Sequence, residues 1–494
     1  MAEQHIDLFI IGGGINGCGI AADSAGRGLS VVLCEQDDLA NYTSSNSSKL
    51  IHGGLRYLEN YEFRLVKEAL IERDVLLKIA PHLVHPLRFV MPHNRHARPA
   101  WMIRLGLYLY DHLNPKQSLA KSSAYKLNAN PNNPLQARFK KAFEYSDAKV
   151  DDARLVVANA LQAKKKGAQI LTRHKVIHAI RQQDYWQITV ENQFDQTQQQ
   201  FYAKALVNAA GPWVDRIVQD LNLQTTHHIR LVKGSHIVVP KLYEGNQAYI
   251  LQNTDKRVIF VIPYCGQFSL IGTTDVDYNA EPANASISPE EQDYLCQAVC
   301  HYFTRTITPQ DIIWSYAGVR PLQSDEHGDP KKVTRDYTLE VNDVTGKLPL
   351  LSVFGGKITT YRKLSEHALL KLGVYFPAMG PAWTDSDPLP GSDFKDYQSF
   401  RLALRQTYPW LHTTMLNRLS MAYGTRCYDL LKNVNSVKDL GLHFGADLYE
   451  REVKFLLKTE WAKTSDDIIW RRSKLGLFLS ASEQTNLQTW LDNQ

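Results

Sequence analysis

The chain has 494 residues, of which 44% are hydrophobic, and it carries a formal net charge of +5. This length and composition indicate a globular protein with a large core and two or three domains. The charge is too mild to indicate nucleic acid as a partner, although it would favour an anionic substrate or an anionic membrane surface.

The sequence gives no sign of export or of a membrane span. Its first residues include an acid and lead directly into an apolar run, unlike the basic and then apolar plan of a signal peptide. No stretch of about 18 apolar residues occurs, so we expect no spanning helix, while surface attachment remains open. The six cysteines form no paired ligand set. We therefore expect a protein of the reducing cytosol without a metal site.

A dinucleotide-binding pattern opens the chain. The apolar residues 6–11 are followed by the sequence GGGING at residues 12–17 and then by small residues, which indicates a strand, a tight turn and a helix. Gly12 permits the turn, Gly14 lets the backbone approach a pyrophosphate, and Gly17 lets the helix pack closely on the sheet. The start of that helix offers N–H groups and partial positive charge to phosphates.

A second apolar run, residues 29–34, ends at Glu35, which lies 18 residues after Gly17. An acid there is placed to accept hydrogen bonds from an adenosine ribose, and it disfavours a 2′-phosphate. A glycine motif alone also occurs in ordinary strand-turn-helix units. Strand, motif, small-residue helix, second strand and acid together favour a dinucleotide, which at this point is either FAD or NAD.

Two later segments favour a flavin. Residues 205–213 and residues 350–362 each run from an apolar strand into small residues, the second of them at Gly355-Gly356-Lys357. A helix that begins at Gly356 or Lys357 would direct its positive end at the negative charge of a reduced flavin. The order of these segments resembles flavoproteins in which one dinucleotide domain is built from discontinuous pieces around an inserted substrate domain.

Five segments resemble the family of FAD-dependent glycerol-3-phosphate dehydrogenases. The longest is TSSNSSKLIHGGLRYLE at residues 43–59, which is similar to the flavin-proximal loop of that family. The others are KGSHIVVP at residues 233–240, IGTTD at 271–275, SYAGVRPL at 315–322 and FGGK at 354–357. The resemblance therefore extends through most of the chain and stops short of its C-terminal part.

The resemblance implies a reaction and a set of substrate-binding residues. The implied reaction is hydride transfer from C2 of sn-glycerol 3-phosphate to flavin N5, giving dihydroxyacetone phosphate, with the electrons passed to a membrane quinone. The implied substrate contacts are Arg56, Arg320 and Lys357, and Tyr57 and His236 are further candidates. Chemistry supports cations here, because a dianionic phosphate needs them.

The resemblance also supplies candidates for catalysis. His52 is the first candidate for the general base, because a histidine pKa lies near neutrality and a cationic site would keep the ring unprotonated. Arg320 stays protonated, so we expect it to stabilise the C2 oxygen as hydride leaves, and Lys357 is the third catalytic candidate. The alternatives are paired or solvated cations and a histidine that only binds the backbone.

The residues expected to contact FAD come from the glycine motif, the second strand, the loop at 43–59 and the two later strand-turns. They are Gly12, Gly13, Gly14, Asn16, Gly17, Glu35, Ser47, Ser48, Lys49, Ala210, Gly211, Gly356, Thr359 and Thr360. Most of them are glycines or small polar residues, which allow a backbone to approach a cofactor closely.

A basic segment lies between residues 86 and 141. It contains one acid, Asp111, and these lysines and arginines: Arg88, Arg95, Arg98, Arg104, Lys116, Lys121, Lys126, Arg138, Lys140 and Lys141. Within it, PAWMIRLGLYLY at residues 99–110 has the composition of a helix that lies in a membrane interface. The alternative is a buried helix followed by a polar loop. The quinone implied by the family favours the interface, on the inner face of the cytoplasmic membrane.

The patterns predict an α/β fold in three parts. These are a discontinuous Rossmann-like FAD-binding domain (residues 1–80, 145–220 and 340–385), an inserted α+β substrate domain with a mostly antiparallel sheet and the basic segment (81–144 and 221–339), and a C-terminal all-helical domain (386–494). Residues 257–263 and 268–273 are predicted strands, and residues 58–80 are predicted to form one helix.

The C-terminal part shows no chemistry in its sequence. Ser480-Ala481-Ser482-Glu483 predicts a capping box at the start of the last helix. Trp410, Trp461 and Trp470 are expected to fill the core, and this part could also contribute contacts in a homodimer.

Three other functions remain open from the sequence. A glycerol-3-phosphate oxidase would oxidise the same substrate and pass the electrons to oxygen, and the motifs barely separate the two. An FAD-dependent oxidase of amino or hydroxy acids is disfavoured, because several cations suit a phosphate better than a lone carboxylate. A non-catalytic flavin-binding membrane module would need no substrate cations.

Overall fold

The computed structural model describes residues 4–93, 99–127, 133–223, 225, 227–253, 255, 257–324 and 336–494. Within these residues, one sheet has eight strands, a second has ten, and a third has two. The strands are β1 (Gln4–Ile11), β2 (Val31–Glu35), β3 (Leu50–Ile51), β4 (Val84–Pro92), β5 (Ser123–Lys126), β6 (Lys141–Val150), β7 (Gln169–Thr172), β8 (His174–Arg181), β9 (Trp186–Asn192), β10 (Gln198–Asn208), β11 (His228–Pro240), β12 (Ala248–Gln252), β13 (Val258–Tyr264), β14 (Phe268–Gly272), β15 (Val276–Asp277), β16 (Trp314–Ser324), β17 (Thr338–Val344), β18 (Lys347–Phe354), β19 (His443–Gly445) and β20 (Leu448–Tyr449).

The helices lie between and beyond these strands. They are α1 (Ile15–Gly26), α2 (Phe63–Ile79), α3 (Ala100–His112), α4 (Asp152–Lys165), α5 (Val214–Asp220), α6 (Pro289–Tyr302), α7 (Tyr361–Leu372), α8 (Tyr397–Thr407), α9 (Thr413–Tyr423), α10 (Cys427–Leu430), α11 (Glu450–Thr459) and α12 (Ala481–Asp492). Among the helices that the structure describes, none has the length and apolar character needed to cross a membrane.

The first sheet is parallel at its centre. Its order is β17-β18-β10-β1-β2-β7, with β9 and β8 added antiparallel beside β10. Alternate residues of β1 enter different cores: Leu8 and Ile10 belong to one hydrophobic cluster, Phe9 and Ile11 to another. The second half of the strand, residues 8–11, is therefore continuously apolar, as expected for a parallel sheet covered on both faces. The carboxyl ends of β1, β2, β10 and β18 meet at one edge, where α/β sheets bind ligands.

The second sheet has the order β15-β11-β14-β13-β12-β4-β6-β3, with β16 beside β11 and β5 beside β6. All of its pairs are antiparallel except β12 with β4. The prediction of a mostly antiparallel sheet is confirmed, and β13 and β14 match the two predicted strands to within one residue at each end. Strand β3, which directly precedes His52, pairs with β6 and so attaches the loop at 43–59 to this sheet.

The predicted single helix over residues 58–80 is wrong in its first turn. Residues Leu55–Asn60 form a 3-10 turn, and α2 begins only at Phe63. Between them Tyr61 has a φ of +59°, a left-handed conformation that interrupts a right-handed helix. The helix expected to begin at Gly356 or Lys357 also starts later, since a 3-10 turn at Ile358–Thr360 precedes α7.

The C-terminal part has its own hydrophobic core, around residues such as Leu404, Leu419 and Leu456. It is helical apart from the short hairpin of β19 and β20, and this agrees with the predicted fold. The capping box at Ser480 and Glu483 is confirmed, because the hydroxyl and the carboxylate each accept the other residue's backbone N–H.

The three tryptophans expected in the core are only half-buried, so that expectation is wrong. Trp410 and Trp470 pack against the edge of the C-terminal core, and Trp461 packs against the core of the first sheet. Trp470 stacks on Trp314 of β16, with 4.5 Å between the ring centres. Trp461 and Trp470 therefore lie where the C-terminal part packs against the rest of the molecule.

Candidate active site

A cavity of about 790 Å³ lies at the carboxyl edge of the first sheet, and both large sheets contribute to its wall. Most of the predicted site residues line it. They are Gly12, Gly14, Asn16, Glu35, Ser47, Ser48, His52, Tyr57, Ala210, Gly211, His236, Arg320, Gly356, Lys357 and Thr359. The fold therefore brings segments more than 300 residues apart in the sequence to one cavity.

The glycines of the first motif are required by close backbone contacts. Gly12 has a φ of +112°, and a Cβ on it would lie 2.5 Å from the carbonyl oxygen of Ala209. A Cβ on Gly17 would lie 1.9 Å from the carbonyl oxygen of Gly12, and one on Gly13 would lie 2.7 Å from Cβ of Glu35. A side chain at any of these positions would force α1, β2 or β10 away from the turn.

The start of α1 forms one wall of the cavity. Gly14 precedes the helix and has no side chain to cap it, while Ser44 Oγ accepts a hydrogen bond from Ile15 N–H at 3.0 Å. Asn16 Nδ2 donates to the carbonyl of Gly355 at 3.2 Å, which ties α1 to the turn after β18. Asn16 Oδ1 is buried with no hydrogen-bond partner in the described chain. This wall offers a helix N-terminus and an unused polar atom to a ligand.

Glu35, at the end of β2, lines the cavity beside the glycine turn. Its carboxylate accepts hydrogen bonds from Gly13 N–H at 2.6 Å and from Asp37 N–H at 2.8 Å. Burial nevertheless raises the pKa of Glu35 to about 7. Further donors, such as ribose hydroxyl groups, would stabilise its charged form.

Lys357 supplies an unsatisfied cation to the cavity. It follows two glycines with positive φ, 80° at Gly355 and 96° at Gly356. Its buried Nζ has no hydrogen-bond partner among the described residues and lies 3.9 Å from the ring centre of Tyr57. Gly54 makes room for that ring, since a Cβ there would lie 2.2 Å from Tyr57 Cε2. A buried ammonium group without an acceptor is a strong site for an anion.

Arg320 lies on β16 at the same cavity. Its Nη2 donates to the carbonyl oxygen of Thr274 at 3.0 Å and to Asp275 Oδ1 at 2.9 Å. The guanidinium occupies the space above Gly234 of β11, where a Cβ would lie 2.6 Å from Nη2. The pairing of β16 with β11 and the turn after β14 therefore fix the direction of this side chain.

Two histidines line the cavity in different environments. The half-buried His52 donates its backbone N–H to Thr359 Oγ1 at 3.3 Å, and its ring lies 6.2 Å from that of Phe260. His236 is buried, stacks on Tyr316 and hydrogen-bonds Ser48 Oγ through Nε2 at 2.9 Å. Burial lowers the pKa of His236 well below its usual range, and nearby cations act in the same direction. His236 is therefore neutral at physiological pH.

Five predicted site residues do not line the cavity. Arg56 is exposed on the 3-10 turn, and Lys49 is buried with its Nζ bound to Asp152 at 2.9 and 3.0 Å. Gly13, Gly17 and Thr360 lie behind the wall and support it. Among the residues that the structure describes, no cluster of histidine, cysteine, aspartate or glutamate side chains could hold a metal ion.

Several lining residues were missed by sequence reasoning. Phe260 and Thr273 reach the cavity through the pairing of β13 and β14, and Ser44 through its bond to α1. The motifs at 43–59 and 271–275 include Ser44 and Thr273 and could have indicated them. Phe260 had no local signal, because only the sheet register places it beside His52.

Comparison with known proteins shows the family of the chain. A family model described as FAD dependent oxidoreductase matches residues 7–362, and one described as the C-terminal domain of alpha-glycerophosphate oxidase matches residues 382–490. The glycerol-3-phosphate dehydrogenase of Pseudomonas aeruginosa is 54% identical, over 100% of this chain and 96% of that protein. The chain belongs to the FAD-dependent glycerol-3-phosphate dehydrogenase family.

Other members of the family widen the comparison. The D-erythritol 1-phosphate dehydrogenase of Brucella abortus is 49% identical over 100% of this chain and 99% of its own length. The structure of the glycerol-3-phosphate dehydrogenase from Bacillus halodurans, complexed with FAD, superimposes with a TM-score of 0.76 at 26% identity, covering 100% of this chain and 95% of that one. The family fold is thus shared along the whole chain.

FAD is the cofactor of this family member, and the residues at the edge of the first sheet fit it. The close contacts at Gly12 and Gly17 leave only backbone beside the start of α1, as a pyrophosphate requires. Asn16 Oδ1 and the buried Glu35 carboxylate are the acceptors that a bound nucleotide would satisfy.

Proposed function

We propose that the protein oxidises sn-glycerol 3-phosphate at C2 to dihydroxyacetone phosphate. The observation that carries the proposal is the buried Nζ of Lys357, which lines the cavity and has no hydrogen-bond acceptor among the described residues. A phosphate monoester supplies such acceptors and the matching negative charge. The name of the P. aeruginosa relative supports the same substrate.

The proposed roles follow from the positions of the side chains. Lys357 binds the phosphate, and the ring of Tyr57 stabilises the ammonium group by a cation–π contact. Arg320 is held by Thr274 and Asp275 and stabilises the C2 oxygen as it becomes a carbonyl. Arg56 remains a proposed phosphate contact that has to turn its exposed side chain inward on binding.

His52 is the proposed general base for the proton of the C2 hydroxyl. It lines the cavity, and its backbone is fixed by Thr359 on the turn that carries Lys357. The neutral His236 is held by Ser48 and serves as a hydrogen-bonding contact for substrate. Bound FAD supplies the two-electron acceptor for the hydrogen on C2. The residues of this chain thus bind the ester, orient C2 and remove one proton.

We further propose that the electrons pass to a membrane quinone at the inner face of the cytoplasmic membrane. The support is α3, which exposes Trp101 by 64%, Leu105 by 51% and Tyr108 by 59%, so it is not the fully buried helix of the alternative. Its other face is anchored by the buried Leu107 and Tyr110. Aromatic and aliphatic side chains exposed together favour contact with a lipid surface.

One basic residue is exposed beside this apolar face in the described part of the chain. Arg104 lies on α3, while Arg95 and Arg98 of the basic segment lie outside the described residues. Positive charge beside an exposed apolar face favours an anionic membrane.

The test of substrate class is anaerobic reduction of the purified yellow protein, followed at the flavin absorbance band. Glycerol 3-phosphate should bleach the flavin, while glycerol and amino acids at the same concentration should not. Bleaching by an amino acid alone would overturn the phosphate-ester proposal. Admission of a soluble quinone or of air to the reduced protein then distinguishes the dehydrogenase from a glycerol-3-phosphate oxidase.

A second candidate substrate is D-erythritol 1-phosphate. It is favoured by the 49% identity to the B. abortus enzyme over the whole chain. It shares the phosphate ester and differs in the length of the polyol, so the same cations would bind it. Reduction rates with the two esters at equal concentrations decide between them, and a higher rate with the erythritol ester would replace the first proposal.

A further inference from the structure

The C-terminal part of the chain binds a loop that forms part of the cavity wall, on the side of the loop that faces away from the cavity. Residues 36–46 follow β2, and Gln36, Tyr42, Ser44 and Asn46 of this loop line the cavity. Asp38 lies within the loop, is fully buried and does not line the cavity. Its carboxylate is therefore directed to the other side of the loop, towards the C-terminal part.

Two consecutive arginines bind that carboxylate. Arg471 Nε donates to Asp38 Oδ2 at 2.6 Å. Arg472 donates to the same oxygen through Nη1 at 2.8 Å and to Oδ1 through Nη2 at 2.7 Å. Both arginines belong to the π-helical turn Asp467–Arg472, a rare form of helix that is often found at functional positions. Both carboxylate oxygens of Asp38 thus accept hydrogen bonds from the C-terminal part.

A second contact holds the same loop. Arg173, directly before β8, donates to Asp467 of the π-helical turn at 2.7 Å and lies 3.6 Å from the carboxylate of Asp37. Asp467 also accepts a hydrogen bond from Arg471. These arginines lower the pKa of Asp467 to about 2, against the opposing effect of burial. Asp467 therefore stays ionised through the physiological pH range, and its ion pairs with Arg173 and Arg471 connect the two contacts on the loop into one network.

The cavity side of the same loop contacts the glycine turn and the start of α1, where FAD is expected to bind. Ala40 N–H donates to the carbonyl of Gly13 at 3.1 Å, and Ser44 Oγ accepts from Ile15 N–H at the start of α1. If Arg471 is removed, the buried charge of Asp38 keeps only Arg472 as its partner, and this loss of compensation is costly unless the loop opens to water. Opening would withdraw Ala40 and Ser44 from the glycine turn.

We propose that Arg471 and Arg472 are positioning residues for FAD, and that the C-terminal part thereby controls how tightly the cofactor is held. The inference concerns the cofactor and does not depend on which substrate is oxidised. It assigns a task to a part of the chain whose sequence shows no chemistry of its own.

The test compares Arg471→Gln with a matched control, Arg418→Gln. Both arginines are on C-terminal helices and similarly buried, with side chains 13% and 15% exposed. Arg418 binds Glu452 at 2.7 and 2.8 Å and does not contact the loop. Each apoprotein is titrated with FAD by flavin fluorescence, and its melting temperature is measured without FAD.

We expect the FAD dissociation constant of Arg471→Gln to rise by about tenfold or more, and that of Arg418→Gln to stay within about threefold of the unaltered protein. Hydrogen exchange of the amides in residues 36–46 should accelerate only in Arg471→Gln. Equal dissociation constants for the two variants at similar melting temperatures would overturn the proposal, because the network would then be an ordinary structural contact.

A conservative variant covers the case in which Arg471→Gln does not fold. Arg471→Lys keeps the charge and loses the planar geometry of the guanidinium, so it should fall between the unaltered protein and Arg471→Gln in FAD affinity. If Arg471→Lys binds FAD as the unaltered protein does while its loop exchanges faster, loop position and cofactor retention are unconnected and the proposal is wrong.

Discussion

The two ends of the cavity are built by different means. The end that fits the pyrophosphate and adenosine is made largely of backbone, within one continuous stretch at residues 12–17 and with Glu35 close behind it. The end proposed for the substrate is made of side chains, those of His52, Arg320 and Lys357, from segments far apart in the sequence. The first end therefore depends on the absence of side chains at the glycines, and the second depends on the correct placement of side chains.

This difference predicts separable failures. Substitutions at the substrate end should remove oxidation and leave FAD in place. Substitutions in the glycine turn should remove FAD. If substitutions at the two ends of the cavity reduced FAD binding and substrate oxidation to the same extent, this comparison would be wrong.

The largest effect is expected for Arg320→Met. Loss of the group proposed to stabilise the C2 oxygen should lower the rate of flavin reduction by glycerol 3-phosphate on the order of 10³-fold, with FAD retained. The measurement is rapid-mixing absorbance of the flavin. Arg257→Met is the control, because Arg257 pairs with Asp255 outside the cavity wall. Equal rates in the two variants would remove Arg320 from the mechanism.

Gly17→Ala tests the backbone end. The added Cβ would lie 1.9 Å from the carbonyl oxygen of Gly12, so the turn has to open. We expect FAD affinity to fall on the order of 10²-fold, measured by titration of the apoprotein. Gly106→Ala in α3, where a Cβ meets nothing within 4 Å, should bind FAD normally. Full affinity in Gly17→Ala would contradict the tight turn.

Gly234→Ala sharpens the comparison at the substrate end. Its Cβ would lie 2.6 Å from Arg320 Nη2 and 2.5 Å from Thr273 Oγ1, both of them ends of side chains that can shift. We therefore expect a moderate loss, about tenfold in kcat/KM, without loss of FAD. A variant with normal kcat/KM would show that the position of the guanidinium is not critical.

The smallest effect is a pH dependence of FAD binding. Burial raises the pKa of Glu35 to about 7, above its value in an unfolded chain, so ionisation of this group makes the apoprotein less stable as the pH rises towards 7. Ribose hydroxyl groups would bind the ionised form. FAD affinity should therefore weaken several-fold as the pH falls from 8 to 6 and Glu35 becomes protonated. Glu35→Gln should flatten this dependence, and an unchanged slope would exclude Glu35 as its cause.

Sequence patterns predicted the backbone end better than the arrangement of side chains. The strand, the glycine turn, α1 and Glu35 follow from residues close together in the chain, and so does the capping box at Ser480. The interruption at Tyr61 was not predictable from apolar spacing, because spacing does not show where a φ becomes positive.

The substrate end could not be assembled from local patterns. Arg320 meets Gly234 and Thr274 only because β11 pairs with both β14 and β16, a register that spans about a hundred residues. The family motifs indicated Arg320 and Lys357, but they could not show that Arg56 is exposed or that Asp152 binds Lys49.

The most direct test of the account is the discrimination between a phosphate ester and its alcohol by Lys357→Met. Flavin reduction is measured anaerobically with glycerol 3-phosphate and with glycerol, in the unaltered protein and in the variant. The account predicts that the preference for the ester falls on the order of 10²-fold, because the buried ammonium group binds the phosphate. An unchanged preference, with both rates lowered equally or not at all, would contradict it.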